Sequence, residues 1–326
     1  MRFSSALLDI LACIYGTAVK VRNSLYDHGL LKPKRVPPVV VSVGNIEAGG
    51  TGKTPFTMAL AGELVKRGLN AAIVTRGYKG TLQGPVIVEP SHSSREVGDE
   101  AMLMARLTRI PVIKSPDRVR GALFARALLG SEIVVLDDAF QHRRIHRDMD
   151  IVLVSRDISC EKLLPAGHLR EHAASLSRAH IIVSLKGARL DGPKASLDPS
   201  ALVDTDGDTH DLGLIAGRRV LAFCAIGRPD HFFSMLEGLG ADLDRLAYED
   251  HHDYTMKDAL EIMDRAAGRD ILLTTEKDMV KIDPEWFKGV SDRLYALRVG
   301  MNIEQLSRIA DEIERLAENS RLPGQG

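Results

Sequence analysis

Lys53 and Thr54 close a glycine-rich turn (Gly49, Gly50, Gly52) inside the run VVVSVGNIEAGGTGKTPF, residues 39–56. Residue types at this spacing suit a bound polyphosphate. Glycines let backbone N–H groups point at phosphate oxygens, and the N-terminus of the following helix adds partial positive charge. Lys53 reaches the terminal phosphates, and the Thr54 hydroxyl can hold Mg²⁺. Pro55 fits the first helical turn, where its missing N–H is no loss. The general pattern G-x-x-x-x-G-K-[ST] wants glycine where this chain has Glu47. An ordinary glycine-rich turn would explain Gly49 and Gly50, but not a Lys-Thr pair at a helix start.

Four further clusters could carry chemistry. IVVLDD, residues 133–138, ends an apolar run in two carboxylates. Beside a phosphate loop such a strand delivers a carboxylate to Mg²⁺; alone, a strand-end Asp is a turn former or a helix cap. AFQHRRIHRD sets His142 and His146 four apart, a metal spacing on a helix, but Arg143, Arg144 and Arg147 crowd the same turns and would repel a cation. A cluster that grips phosphate and a solvated basic turn are the two readings left. VGDEAMLMAR places Asp99 and Glu100 where a glycine turn enters a helix, as caps or as a base or metal carboxylate facing the γ-phosphate. EDHHDYT, residues 249–255, presents adjacent histidines in a loop, either solvated or placed to orient a carboxylate base.

The elements that must position these groups follow from length and pattern. At 326 residues two domains are expected. A hydrophobic share of 44% and a charged share of 27% describe a globular chain, and a net charge of −1 argues against general nucleic-acid binding. Cys13, Cys160 and Cys224 lie far apart and read as reduced, mostly buried thiols. The first forty residues differ. An apolar stretch over 7–21 is broken by Asp9 and Gly16-Thr17 and flanked by Arg2, Lys20, Arg22, Lys32, Lys34 and Arg35. It falls short of the ~20 residues that cross a bilayer and lacks a signal-peptide cleavage site. It is either a helix packed on the body or an interfacial helix with basic flanks on anionic headgroups.

From Val39 onward, strands are expected over 39–43, 71–75, 112–114, 133–136, 151–154 and 181–184. Helices are expected over 55–67, 100–107, 118–128 and 175–179. This alternation reads as βαβ units and a parallel sheet covered on both faces, with active groups at the carboxyl ends of the strands. The stretch 186–211, rich in Asp, Gly, Pro and Thr, reads as a linker. A second unit opens with VLAFCAIG at Arg219, a helix near 231–239 and the strand ILLTTEKD from Ile271. Ile303, Leu306, Ile309, Ile313 and Leu316 recur at helical spacing and must be buried against something.

Nine blocks in order, GNIEAGGTGKTP, TRGYKG, VGDE, PVIKSPDR, LDDAFQHRRIHRD, LLPAGHLRE, FCAIGRPDHFF, EDHHDY and TTEKD, resemble the tetraacyldisaccharide 4'-kinases, the lipid A precursor kinases of Gram-negative envelopes. The similarity runs from the N-terminal segment to about Lys281. The family's loop also lacks the first glycine, so Glu47 is no departure; Ala139 replaces a usual glycine and His168 a usual proline. The resemblance implies an α/β fold: a P-loop kinase-like parallel sheet domain (39–210) and a second, smaller α/β domain (211–301), with the active site between them. Residues 1–38 would form a membrane-associating helical segment, and a C-terminal helix in 302–326 would pack back on the first domain.

The implied activity is ATP- and Mg²⁺-dependent phosphorylation of the 4'-hydroxyl of a tetraacylated glucosamine disaccharide 1-phosphate. The implied place is the cytoplasmic face of the inner membrane. The partners would be the lipid disaccharide and the membrane surface, with no nucleic acid and no obligate protein partner. By the same resemblance Lys53 and the backbone of Glu47, Ala48, Gly49, Gly50, Thr51 and Gly52 would hold the phosphates. Thr54 and Asp138 would hold Mg²⁺ with help from Asp137 or Glu100. Asp99 would be the base, with His251 behind it, and Arg76, Arg118, Gln141, His142, Arg170 and Glu171 would line the cleft for the polar head. A membrane-associated P-loop ATPase switch or partitioning module is the alternative, but it wants lysine where this chain has Ala48. A GTPase wants an N-K-x-D motif that TTEKD does not supply.

Overall fold

A computed structural model describes residues 5–188 and 190–321. Arg2 of the basic flank and the last five residues of the 302–326 tail lie outside them. Helix α1 (Ser5–Asp27) precedes β1 (Val39–Asn45) and α2 (Lys53–Lys66). Next come β2 (Ala71–Thr75), β3 (Val86–Ile87), α3 (Ser94–Val97), α4 (Asp99–Leu107), β4 (Val112–Lys114) and α5 (Arg118–Leu129). β5 (Ile133–Asp137), β6 (Met149–Val154) and β7 (Ile181–Leu185) complete the first half. The helix expected near 175–179 is a 3₁₀ turn, Ala173–Arg178.

The second half holds β8 (Lys194–Val203), β9 (Thr209–His210), β10 (Arg219–Cys224), α6 (Pro229–Gly238), β11 (Asp242–Ala247) and α7 (Met256–Arg265). It ends in β12 (Ile271–Thr275), α8 (Glu276–Met279), β13 (Leu294–Ile303) and α9 (Leu306–Arg321). Among the described residues the strands form one sheet, in the order β11-β10-β12-β13-β8-β7-β6-β1-β5-β2-β4-β3, with β9 beside β8. The ladders β3–β4, β8–β13 and β8–β9 are antiparallel and the rest parallel. Every residue of β1 is buried, as a strand covered on both faces requires.

The stretch 186–211 is not a linker. Lys194–Val203 runs parallel to β7 at Ser184 and Leu185, then antiparallel to β13 from Ala195 opposite Ile303 to Val203 opposite Ala296. Its composition misleads because Pro199 sits at a register shift opposite Arg298 and Val299, where a ladder tolerates proline. The two halves therefore share one frame, while each keeps its own apolar clusters. Val41, Val43, Phe56 and Leu60 anchor the first; Leu221, Phe223, Leu272 and Phe287 anchor the second. Of the cysteines Cys224 is buried, whereas Cys13 and Cys160 are exposed.

Helix α9 returns to the first half. Ile309, Ala310, Ile313 and Ala317 are buried in the cluster around Phe56, Leu60 and Leu64, and Ile303 belongs to β13 rather than to the helix. Arg67 at the end of α2 pairs with Glu63 and Asp311, fastening the helix from outside. Ile313 is fully buried in this seam. Ile313→Ala should lower the unfolding free energy by roughly 2–5 kcal/mol through lost burial and the cavity left behind, read as an earlier urea midpoint.

Candidate active site

The loop between β1 and α2 is held from within. Asn45 Nδ2 donates to Thr51 Oγ1 at 2.7 Å, and Lys53 Nζ donates to the same oxygen at 3.3 Å. Gly52 caps α2 with φ 73°, and a Cβ there would come within 3.0 Å of Met301 Cε, so β13 leans on the loop. Glu47, in the place of the general pattern's glycine, is buried. Its carboxylate accepts from Ser155 N at 2.7 Å, Ser155 Oγ at 2.6 Å and Arg156 Nε at 3.2 Å. Arg228, from the second half, reaches Ser155 Oγ at 2.7 Å and Glu47 at 3.4 Å. A charge can be buried here because several donors satisfy it. One expected cradle group is occupied: the Ala48 N–H donates to the His168 carbonyl at 2.7 Å.

β5 delivers the two aspartates, and they differ. Asp137 is buried; Thr57 Oγ1 and Thr75 Oγ1 donate to its two oxygens at 3.2 and 3.4 Å. Burial, reinforced by the charge of Asp138, pushes its carboxyl up to about 6. Asp138 turns out of the strand at φ 49°, with Arg170 Nη1 at 2.9 Å and Lys53 Nζ at 3.7 Å. Burial alone would raise its pKa, but Lys53 and Arg170 outweigh it and hold the carboxyl below the usual range. Burial lowers the pKa of Lys53 while Asp138 opposes, so an incoming phosphate would restore the counter-charge that Lys53 lacks.

A second pair of carboxylates stands at the start of α4. Gly98 precedes α4 at φ 94°, and a Cβ there would lie 2.6 Å from the Tyr78 carbonyl oxygen. This close fit sets Asp99 and Glu100 in the first turn of α4. His251, at φ 60° in the loop after β11, brings Nδ1 to 3.1 Å from Asp99 Oδ2. The Tyr78 ring stands edge-on to the imidazole at 5.2 Å, and Lys79 Nζ donates to the His251 carbonyl at 3.2 Å. Burial raises the Asp99 pKa, but the His251 contact and the charges of Lys281 and Lys277 overcome it, leaving the carboxyl below its usual range. The carboxylate is thus held ionised and oriented by His251.

Several expected roles change. Of the expected metal carboxylates, Glu100 is engaged by Lys277 Nζ at 2.8 Å, Asp137 by its two threonines and Asp138 by Arg170 and Lys53. One carboxylate and a hydroxyl beside phosphate oxygens fit Mg²⁺, which takes few protein ligands. Arg118, expected at the polar head, is buried at the start of α5, donates to the Ser115 and Asp137 carbonyls at 2.9 and 3.2 Å, and burial pushes it down to about 10. Glu171 is also inside, fully buried among Arg22, Asn23 and Arg178.

Gln141 donates to the Asn45 carbonyl at 2.8 Å, and His142 is pushed down to about 4 by burial and Arg118. Arg76 stands exposed just past β2. The basic cluster does not grip an anion. Arg143 pairs with Asp27, Arg144 with Asp117 and Arg147 with Asp150, because neighbouring carboxylates already answer each charge. His142 and His146 belong to no metal-ligating group among the described residues.

Sequence reasoning did not single out Lys277, Lys281 or Arg228, although TTEKD contains the first, GRPD the last, and Lys281 follows three residues after TTEKD. Lys277 Nζ lies 3.4 Å from His251 Nε2, and Lys281 donates to the His252 carbonyl at 3.2 Å. No spacing rule marks such residues, since their partners lie in other blocks. Asp137 gives a pH signature. Its carboxyl is raised from 3.8 to about 6 on folding, so stability is lost as pH climbs through that window. Asp137→Asn should therefore gain on the parent protein between pH 4 and pH 7, by as much as ~3 kcal/mol, measured by denaturant unfolding without nucleotide; a pH-independent gap would refute it.

Comparison with known proteins identifies the family. The family model described as tetraacyldisaccharide-1-P 4'-kinase (LpxK) matches residues 4–317. A tetraacyldisaccharide 4'-kinase from Desulfatibacillum aliphaticivorans is 35% identical, covering 95% of this chain and 92% of its own. One from Rhodospirillum centenum is 38% identical, covering 86% and 83%. The crystal structure of Aquifex aeolicus LpxK in complex with ATP superposes with a TM-score of 0.78 at 32% identity, covering 96% of this chain and 99% of that one. The chain belongs to the tetraacyldisaccharide-1-P 4'-kinase family.

Proposed function

We propose that this kinase moves the γ-phosphate of ATP to the 4'-hydroxyl of a tetraacylated glucosamine disaccharide 1-phosphate, with Asp99 as the base. The observation that carries the reading is the pairing of Asp99, on the half that holds the phosphate loop, with His251 from the other half. The charge of Glu100, next to Asp99, bears on Lys53, which supports reading this pair as a neighbour of the phosphates. Lys53 and Arg170 steady the β- and γ-phosphates. Asp99 accepts the hydroxyl proton as the sugar oxygen bonds to phosphorus and the bond to the β-phosphate oxygen breaks. His251 keeps Asp99 turned toward the acceptor. Mg²⁺, held by Thr54 and Asp138, would supply neutralisation of phosphate charge. Leu185 lies against Gly52, and a cavity of ≈ 580 Å³ at the end of β7, lined by Ser184, Leu185, Lys186, Gly187 and Ser196 among others, offers the nucleoside a place beside the loop.

The acceptor's acyl chains call for a membrane surface. Leu7, Ile10, Leu11, Ile14 and Val21 repeat on one exposed face of α1, near exposed Lys20, Lys32, Lys34 and Arg35. No helix among the described residues is long and apolar enough to cross a membrane. An interfacial helix with basic flanks suits the anionic cytoplasmic face of the inner membrane.

Incubation with ATP, Mg²⁺ and detergent-dispersed monophosphorylated disaccharide lipid should add one phosphate. Asp99→Ala should lower kcat by roughly 10²–10⁴-fold with ATP affinity little changed; near-normal turnover would end the assignment. Ile14→Asp should weaken sedimentation with vesicles containing anionic lipid and raise KM for the lipid, leaving KM for ATP as it was.

A further inference from the structure

Residues 162–171 cross the phosphate loop as a strap. The Arg170 N–H donates to the Ile46 carbonyl at 2.7 Å, the Ala48 N–H to the His168 carbonyl at 2.7 Å, and Glu47 bridges Leu169 antiparallel. The Arg170 side chain continues from this strap to Asp138. The strap is in turn held by α1. Tyr15 Oη donates to the Arg170 carbonyl at 2.8 Å, Asn23 Nδ2 to Glu171 Oε2 at 2.9 Å and Arg22 Nη2 to Glu171 Oε1 at 3.0 Å. Gly16 explains the break in the apolar stretch, since a Cβ there would fall 2.6 Å from Leu163 Cδ1. Lys162 pairs with Asp9 at 2.7 Å.

The inner side of α1 is distinct from its apolar outer stripe. Ala12, Tyr15, Gly16, Val19 and Asn23 recur at helical spacing and are buried or half-buried, while Leu7, Ile10, Leu11, Ile14 and Val21 are exposed. Glu171, fully buried, also takes Arg178 at 2.8 Å. A buried carboxylate held by three side chains has little freedom to reorient. Asn23 is itself fixed, its carbonyl accepting from Arg143 at 3.1 Å.

We propose that α1 is a positioning element of the phosphate site: Tyr15, Arg22 and Asn23 fix Arg170 and Glu171 in the strap, and so hold the Arg170 guanidinium against Asp138 and the bound phosphates. The inference rests on the reading that Lys53, Asp138 and Arg170 receive the triphosphate. The outer face of the helix remains available to lipid while the inner face orders the chemistry. Loosening the inner face misplaces a cation that must meet phosphate within a fraction of an ångström, and displacements of that kind carry large kinetic penalties.

The test uses the full-length enzyme with Tyr15→Phe, Asn23→Ala, the double variant and Arg170→Ala as a control. Fluorescent ATP analogue is titrated with no lipid present, kcat and KM are measured for both substrates, and binding to anionic vesicles is followed by sedimentation. The double variant is expected to bind nucleotide more weakly without lipid and to lose about tenfold or more in kcat, with vesicle binding intact. Tyr15→Phe removes one hydroxyl and is expected to show the same direction should the double variant fold poorly. A rise in KM for lipid alone, with kcat and nucleotide affinity unchanged, overturns the inference and leaves α1 as an anchor. Unchanged turnover and nucleotide affinity in Arg170→Ala instead removes the phosphate-site reading, and the inference with it.

Discussion

A carboxylate held between two cations organises this molecule. Asp138 lies beside Lys53 from α2 and Arg170 from the strap, and each of the three arrives on a different segment. Charges out of bulk water persist only when paired, so these segments must meet where they do. The upward shift of Asp137 to about 6 records what two adjacent carboxylates cost in a buried setting. Lys53 and Arg170 together bring two positive charges to Asp138, and an anionic ligand suits that pair of cations.

The same economy of charge joins the two halves. Glu47 meets Arg228, and Glu100 meets Lys277, each pair reaching from one half to the other. Met301 of β13 leans on Gly52, so the second half also touches the phosphate loop through apolar contact. Asp99 and the loop are thereby referred to a single sheet. The long antiparallel ladder between β8 and β13 carries this continuity, and α9 closes it by returning to the Phe56–Leu60 seam.

Much of the first half was legible from local pattern. VVVSV before a glycine turn, IVVLDD ending in carboxylates and the apolar runs at 71–75 and 151–154 are strands that tertiary packing merely extends by a residue or two. β8 was illegible because Asp, Pro and Gly density usually marks a loop, and here a register shift absorbs the proline. The basic cluster misled for a related reason. Arg143 and Arg144 look unpaired in one dimension, and their carboxylates at Asp27 and Asp117 become partners only when α1 and α5 pack beside them, whereas Arg147 pairs locally with Asp150.

The chain's own order of residues determined the α/β class, the phosphate-loop position and the identity of the chemical groups, because periodicity, glycine turns and Lys-Thr placement are local consequences of backbone geometry. Tertiary structure alone decided that Arg118 and Glu171 are internal, that Asp137 and Asp138 titrate differently, and that His251 comes to 3.1 Å from Asp99 across 152 positions of sequence. Burial and electrostatic pairing depend on distance in space, and no local pattern encodes a distance between segments so far apart.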